Sequence, residues 1–459
     1  MLDGVPHGVG TGNVGEHRRF RRPGVSEWIA LACCILLLAL VATPVTAQSF
    51  DDSSDSDGGG SSPLFSHDRN YLLGNWGGTR DTLASKGVAF DFFYVTDLQG
   101  NPVGGLGQNA AGWGRARGTM DVDFGKLTGW KGLTFHVTGL WQFGTNLGAE
   151  IGTLANPSGL VSAHATRLDS WWFQQALFNN KLFIKAGQFA GLDFYGNQEY
   201  GASYLIEPLD YALGNLFPTT FESFDPAATP AFELRVAPVE SFYVKAAALA
   251  GNRNPYEQDP DGFHFAIRDS AVFVFEAGYL FDQGEAAAKK ERDHRKVYPG
   301  KYKVGAAYND GRFTDAAGNL TRGNHLVYVD ANQAVYRQSA GSNRGLDLLF
   351  SYDWSPEDVN RFNSQTIAGA RYNAPFSGRS QDSVAFAFIY SRIADPYRFI
   401  GTPPVPLTPG TEKATELNYL FQITRYWLVQ PAFQYYVDVG GNSSLHNAAV
   451  LGFRTKVTF

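Results

Sequence analysis

The chain has 459 residues and a formal net charge of −6 at pH 7, with 14% aromatic and 18% charged residues. A charge so mild and slightly acidic excludes a nucleic-acid partner. The only two cysteines, Cys33 and Cys34, lie near the N-terminus, which leaves no thiolate metal site and no disulfide framework for the rest of the chain.

Residues 1–47 read as an export signal. Arg18, Arg19, Arg21 and Arg22 form its basic segment, and the apolar run Trp28 to Ala42 is too short for a comfortable membrane span. Small residues at Val45-Thr46-Ala47 place the expected cleavage after Ala47. Residues 48–70 open with QSFDDSSDSDGGGSS, a composition that cannot bury a core and is expected to be disordered. Residues 71–87 form a short segment in which Trp76 to Lys86 is expected to be helical, ending at Gly87.

From Val88 the pattern changes to a period of two. Sixteen runs carry it, from Val88–Leu98 to Ala449–Phe459, and most have 9 to 13 residues, enough to cross a bilayer at a tilt. Tight turns at 178–181, 239–242 and 424–428 alternate with long connections at 144–169, 190–230, 251–269 and 394–413. The expected fold is therefore an all-β transmembrane barrel of 16 antiparallel strands over 88–459, with short periplasmic turns and long extracellular loops. The charged stretch 282–300 breaks the alternation, and EAAAKKERDHRK within it suits a local helix. Charge in lipid is costly, so facing follows from composition. Glu233 and Arg235 are expected inside with Phe232, Leu234 and Val236 outside, and Glu276 inside with Phe273, Phe275 and Tyr279 outside. The chain ends in LGFRTKVTF, whose lipid-facing row Leu451, Phe453, Thr455, Val457 closes on Phe459, the expected assembly signal.

Several stretches then resemble one family, the carbohydrate-selective porins of the OprB type. They are LLGNWGGTRDTLASKGVAFDFFYVTDLQGNPVGG, LTGWKGLTFHVTGLWQFG, KLFIKAGQFAGLDF, EAGYLF with YPGKYKVGAAYNDGRF, and QPAFQYYVDVGG ahead of the C-terminal strand. Their ordered occurrence spans nearly the whole chain after the signal. The insert at 282–298 is longer than the connector typical of the family. The resemblance implies a sixteen-stranded barrel in the Gram-negative outer membrane that admits monosaccharides such as glucose through an eyelet narrowed by infolded loops.

A sugar needs rigid hydrogen-bonding groups for its hydroxyls and aromatic faces for its C–H patches. Candidate pore-lining positions are Arg115, Arg117, His136, Trp172, Lys185, Glu233, Arg235, Glu276, Arg371 and Arg454, with Tyr195 and Glu199 from the loop 190–230. Each charged position could equally pair with a neighbour in the wall, and the loop's aromatics could simply pack it against that wall. Lipids and the barrel-assembly machinery are the expected partners besides sugars. Monomer and homotrimer both remain open, and no cofactor or metal is called for. Histidines 136, 164 and 325 lack the nucleophile or metal-spaced partner of an enzyme. A channel for organic acids or phosphate and an exported glycan-binding β-protein are the alternatives. The interleaving of acids and bases favours a neutral solute over a one-signed anion pore.

Overall fold

The computed structural model describes residues 69–191, 195, 199–210, 228–251, 259–265, 267–395, 399–400, 405–406 and 410–459. The expected export signal, nearly all of the polar tail and the middle of the loop after residue 190 lie outside the described residues.

Alternation of side chains closes the chain into one barrel of sixteen antiparallel strands. They are β1 (Val88–Val103), β2 (Ala110–Asp123), β3 (Leu133–Gly144), β4 (Ala165–Leu177), β5 (Leu182–Phe189), β6 (Thr229–Val239), β7 (Phe242–Ala250) and β8 (Ala271–Phe281). The second half comprises β9 (Gly300–Thr314), β10 (Leu320–Arg337), β11 (Gly345–Trp354), β12 (Phe362–Asn373), β13 (Ser383–Ile393), β14 (Thr411–Thr424), β15 (Trp427–Val437) and β16 (Ala448–Thr458). Each strand pairs with its sequence neighbours, and β1 seals against β16 with Asp97 opposite Arg454 and Phe93 opposite Thr458. Closure removes every sheet edge, as a lipid setting demands. No helix among the described residues is long and apolar enough to cross a membrane.

Facing follows the cost of charge. On β8, Phe273 and Phe275 are about half exposed on the outer face while Glu276 is 1% exposed. On β6, Phe232, Leu234 and Val236 point outward and Glu233 inward.

Strand ends depart from the periodicity in informative ways. A bulge lies where Thr138 pairs with Ser170 and Gly139 with Leu168, leaving Asp169 as the extra residue. It shifts the phase, so Arg167 and Asp169 are buried and so is Ser170. This is why β4 starts at Ala165, five residues before the clean alternation. β9 and β10 extend to a tight turn in which Asp315 accepts the N–H groups of Ala317 and Asn319. The sequence runs leave residues 310–324 between these two strands, and the structure leaves only 315–319.

Before β1, a 3₁₀ turn (Trp76–Gly78) leads into a helix (Thr79–Ser85) that ends at Gly87. Gly87 has φ +92°, and a Cβ there would meet the Asp123 carbonyl oxygen at 2.5 Å. Buried Arg80 is stacked by Tyr71 and Trp76 and donates to the Phe459 carbonyl oxygen at 2.7 Å. The stretch at 282–300 contains the expected helix, Gly284–Arg292.

Candidate functional site

Two connections from one end of the barrel fold into its interior. The loop after β5 makes its contacts on the far wall, β12 to β16, so it crosses the lumen. Buried loop backbone needs partners, and inward side chains of that wall supply them. Glu416 accepts from the N–H groups of Leu205 (2.9 Å) and Ile206 (2.8 Å), while Asn418 and Gln430 both donate to the Ser203 carbonyl. Arg454 bridges Asp97 and the loop's Asp210, and the Tyr204 hydroxyl donates to carbonyls of Ala370 and Phe386.

The loop after β3 joins it. Gln99 and Gln434 donate to the Pro157 carbonyl, and Glu412 accepts from Leu154, Ala155 and Gly440. The two loops also bond each other: Gly159 N–H to Leu205 oxygen (2.7 Å), and Asn156 Nδ2 to the Glu207 carboxylate (2.6 Å). Beneath them Ile151, Ile206 and Leu209 pack on Leu349, Ile367, Ala385, Ala387 and Ile389 of the wall. The wall beneath the infolded loops is thus mixed, with an apolar row on β11–β13 beside the polar anchors of β14–β16. The sequence carried a sign of it: β13, SVAFAFIYSRI, is apolar on both faces, the mark of a strand covered twice.

Six of the expected lining residues are buried: Arg115, Lys185, Tyr195, Glu233, Glu276 and Arg454, none more than 7% exposed. They hold the wall and loops together and leave little of their surface open to the lumen. Lys185 pairs with Glu233 at 3.2 Å and Lys245 with Glu276 at 3.1 Å. The hydroxyls of Tyr243 and Tyr328 donate to the Glu276 carboxylate, and Lys303 pairs with Asp330. The Tyr195 ring lies 4.1 Å from Lys245 Nζ, among Phe189, Leu249, Val272 and Val274. Arg115 donates to Gln142 and the Leu160 carbonyl.

The other six keep accessible surface: Arg117, His136, Trp172, Glu199, Arg235 and Arg371. His136 and Trp172 stack at 4.8 Å with 12° between planes, and His136 is held by Asp121 (2.7 Å) and Thr138 (2.9 Å). Arg235 lies over Phe183 and Tyr243. Arg371 lies 4.4 Å over Tyr200 and, with Arg337, clamps Asp347. Glu199 reaches Lys301 at 2.9 Å. These are paired aromatic faces and fixed donor forks, the groups a sugar can use. The sequence reading missed Lys245, Lys303, Asp330, Arg337 and Lys301. All lie on strands, and strand registers would have revealed them: Lys245 stands opposite Glu276 and Lys303 opposite Asp330.

In the crossing loop, burial raises the Glu207 carboxyl to about 7 against the lowering pull of its Asn156 bonds. Burial also raises Asp210, opposed by Arg454. Among the described residues, Asp259, Asp261 and His264 bring possible metal-ligating atoms together. Their carboxylates accept the loop's own N–H groups, from His264 and Phe263, and Asp259 pairs with Arg167.

The family model described as carbohydrate-selective porin, OprB family, matches residues 108–459. Porin B of Pseudomonas aeruginosa is 24% identical over 440 residues, covering 86% of this chain and 92% of the relative. The putative porin QuiX of Acinetobacter baylyi is 21% identical, covering 86% of this chain and 94% of the relative. The high-pH structure of Pseudomonas putida OprB superposes with a TM-score of 0.77 at 22% identity, covering 86% of this chain and all of that one. The closed barrel, its lipid-suited outer face and the family match converge: this chain belongs to the carbohydrate-selective porins of the OprB family and is an outer-membrane channel for carbohydrates.

Proposed function

We propose that the channel passes neutral sugars of monosaccharide size, such as glucose, through a constriction made where the loop after β5 crosses the lumen. The crossing itself carries this reading: a loop leaving β5 and bonded to β12–β16 narrows the path to the side lined by β2–β10. Along that side stand the His136–Trp172 stack and the arginines Arg117 and Arg235, while Arg371 stands on β12 beside the crossing loop. Stacking faces and forks on one wall give weak, repeated binding, which passes a solute without trapping it. Acids and bases neutralise each other along the wall, which favours an uncharged polyol over a phosphate or organic acid. The chain acts by diffusion and performs no catalysis.

The same reading puts the long-loop end outside the cell and the short turns in the periplasm. Residues 1–47 are removed on export, residues 48–70 form a solvated tail, and 71–459 make the periplasmic segment and barrel. Phe459 serves the assembly machinery. Three copies in the membrane remain compatible with the outer face.

Planar-bilayer recording tests the reading. Glucose should reduce the ion current in a saturable way, and succinate should do so far less. Equal block by succinate and glucose would favour the organic-acid alternative.

A further inference from the structure

The short-turn end of the barrel holds a cavity of about 540 Å³, within the roughly 300–1,000 Å³ usual for small-molecule sites. Its walls come from four sources. Arg337, Arg371 and Asn373 project from the barrel, Asn343 from the β10–β11 turn, Ser203 from the crossing loop and Glu291 from the insert helix.

Asp347, 1% exposed, fixes the two arginines. Arg337 Nη2 donates to its Oδ1 at 2.6 Å, and Arg371 donates to its Oδ2 through Nη2 at 2.9 Å and Nε at 3.3 Å. Arg337 Nη1 also donates to the Tyr336 carbonyl, and Arg371 Nη1 to Ser203 Oγ. A guanidinium has five N–H groups, so Arg337 keeps three and Arg371 two beyond these bonds. They form a fixed row of donors. Asn373 Nδ2 also bonds Asp347, which orients its amide carbonyl.

Two arginines against one aspartate leave one positive charge. Asp382, also in the lining, is matched by Arg379 at 2.7 Å. The remaining charged lining residue is Glu291, which brings the site to neutrality. The helix carrying it is held in place. Lys290 Nζ pairs with Asp282 at 2.6 Å, Tyr298 N–H donates to Asp282, and Glu285 N–H donates to Glu240.

We propose that this cavity is a second solute site, taking an uncharged polyol of about hexose size at the exit, and that Glu291 sets its preference for neutral over anionic sugars. The proposal rests on the channel reading above. Ser203 belongs both to the crossing loop and to this lining, so solute leaving the constriction enters the site directly.

Single channels of known orientation test it, with glucose and gluconate added separately from each end. For Glu291→Gln, gluconate block from the short-turn end should tighten about fivefold, one charge of repulsion having been removed. Glucose block from either end, and gluconate block from the long-loop end, should stay within about twofold of the unaltered channel by the same argument. Glu291→Asp should retain the original preference. Unchanged gluconate block with normal glucose block would overturn the second site alone. Equal tightening from both ends would also overturn it, since that marks a general field at the mouth. Loss of all glucose block in the unaltered channel would instead overturn the channel reading.

Discussion

Leu234 and Glu233 are neighbours on β6 with opposite surroundings, and both are sensitive for different reasons. Leu234 faces outward among Phe232 and Val236, so Leu234→Arg places a charge in lipid and costs about 2–4 kcal/mol near the midplane. Glu233 is buried against Lys185, and removing one partner of such a pair costs about 3–5 kcal/mol because the other stays charged and unpaired. Both variants should therefore unfold earlier on heating in detergent, read as loss of the compact band on a gel. A Glu233→Ala barrel as heat-resistant as the unaltered one would mean the Lys185–Glu233 pair is hydrated. Alternation alone showed that Glu233 points inward. It could not show that Tyr195 and its loop cover the neighbouring wall, because burial inside a barrel depends on which loops fold in.

Glu207 gives the residue scale a pH dependence. Its carboxyl titrates near 7 inside the docked loop against an ordinary 4.5, as burial disfavours its charge. Docking therefore has its full strength below about pH 4.5, weakens as the pH rises toward 7, and stays weakened above that. Asp210, also raised, loosens in the same direction but is held by Arg454 beside Asp97, while Glu412 and Glu416 face the loops from β14. Open-channel current noise should rise between pH 5 and 8, and Glu207→Gln should flatten that rise. An identical profile in Glu207→Gln would remove Glu207 as the cause.

At the scale of elements, the two infolded loops and the wall beneath them form one unit. The Ala385, Ala387 and Ile389 row of β13 is small and apolar because loops lie on it. Strand existence, facing and the helix at 284–292 were all legible from period and composition. Less legible were ends that depend on partners: the Asp169 bulge, whose phase shift hides the start of β4, and the β9–β10 extension closed by Asp315. The crossing of the loop after β5 was readable only as unusual length, since its anchors at Glu416, Gln430 and Arg454 lie more than 200 residues away in sequence. Glu416→Ala should leave the Leu205 and Ile206 N–H groups without their acceptor, freeing the loop. Conductance should then rise and become noisier while the barrel still resists heat. A quiet channel of unaltered conductance would mean that Glu416 is dispensable as an anchor.

For the whole molecule, closure joins the two ends of the barrel sequence. β1 pairs with β16, Arg80 holds the Phe459 carbonyl, and Phe459 N–H donates to the Phe92 carbonyl. The terminal residue is thus part of the seam as well as the expected assembly signal. Deleting Phe459 should deplete folded barrel from the outer membrane while channels that do form keep their sugar block. Normal amounts in the membrane would sink the signal.

The central claim is that the loop after β5 crosses the lumen and makes the sugar-selective constriction. Shortening it between Glu199 and Asp210 and recording single channels with glucose tests this most directly. Conductance should rise several-fold and glucose block should weaken in the same channels. Unchanged conductance and unchanged block in a folded barrel would contradict the account and place the constriction in the loop after β3.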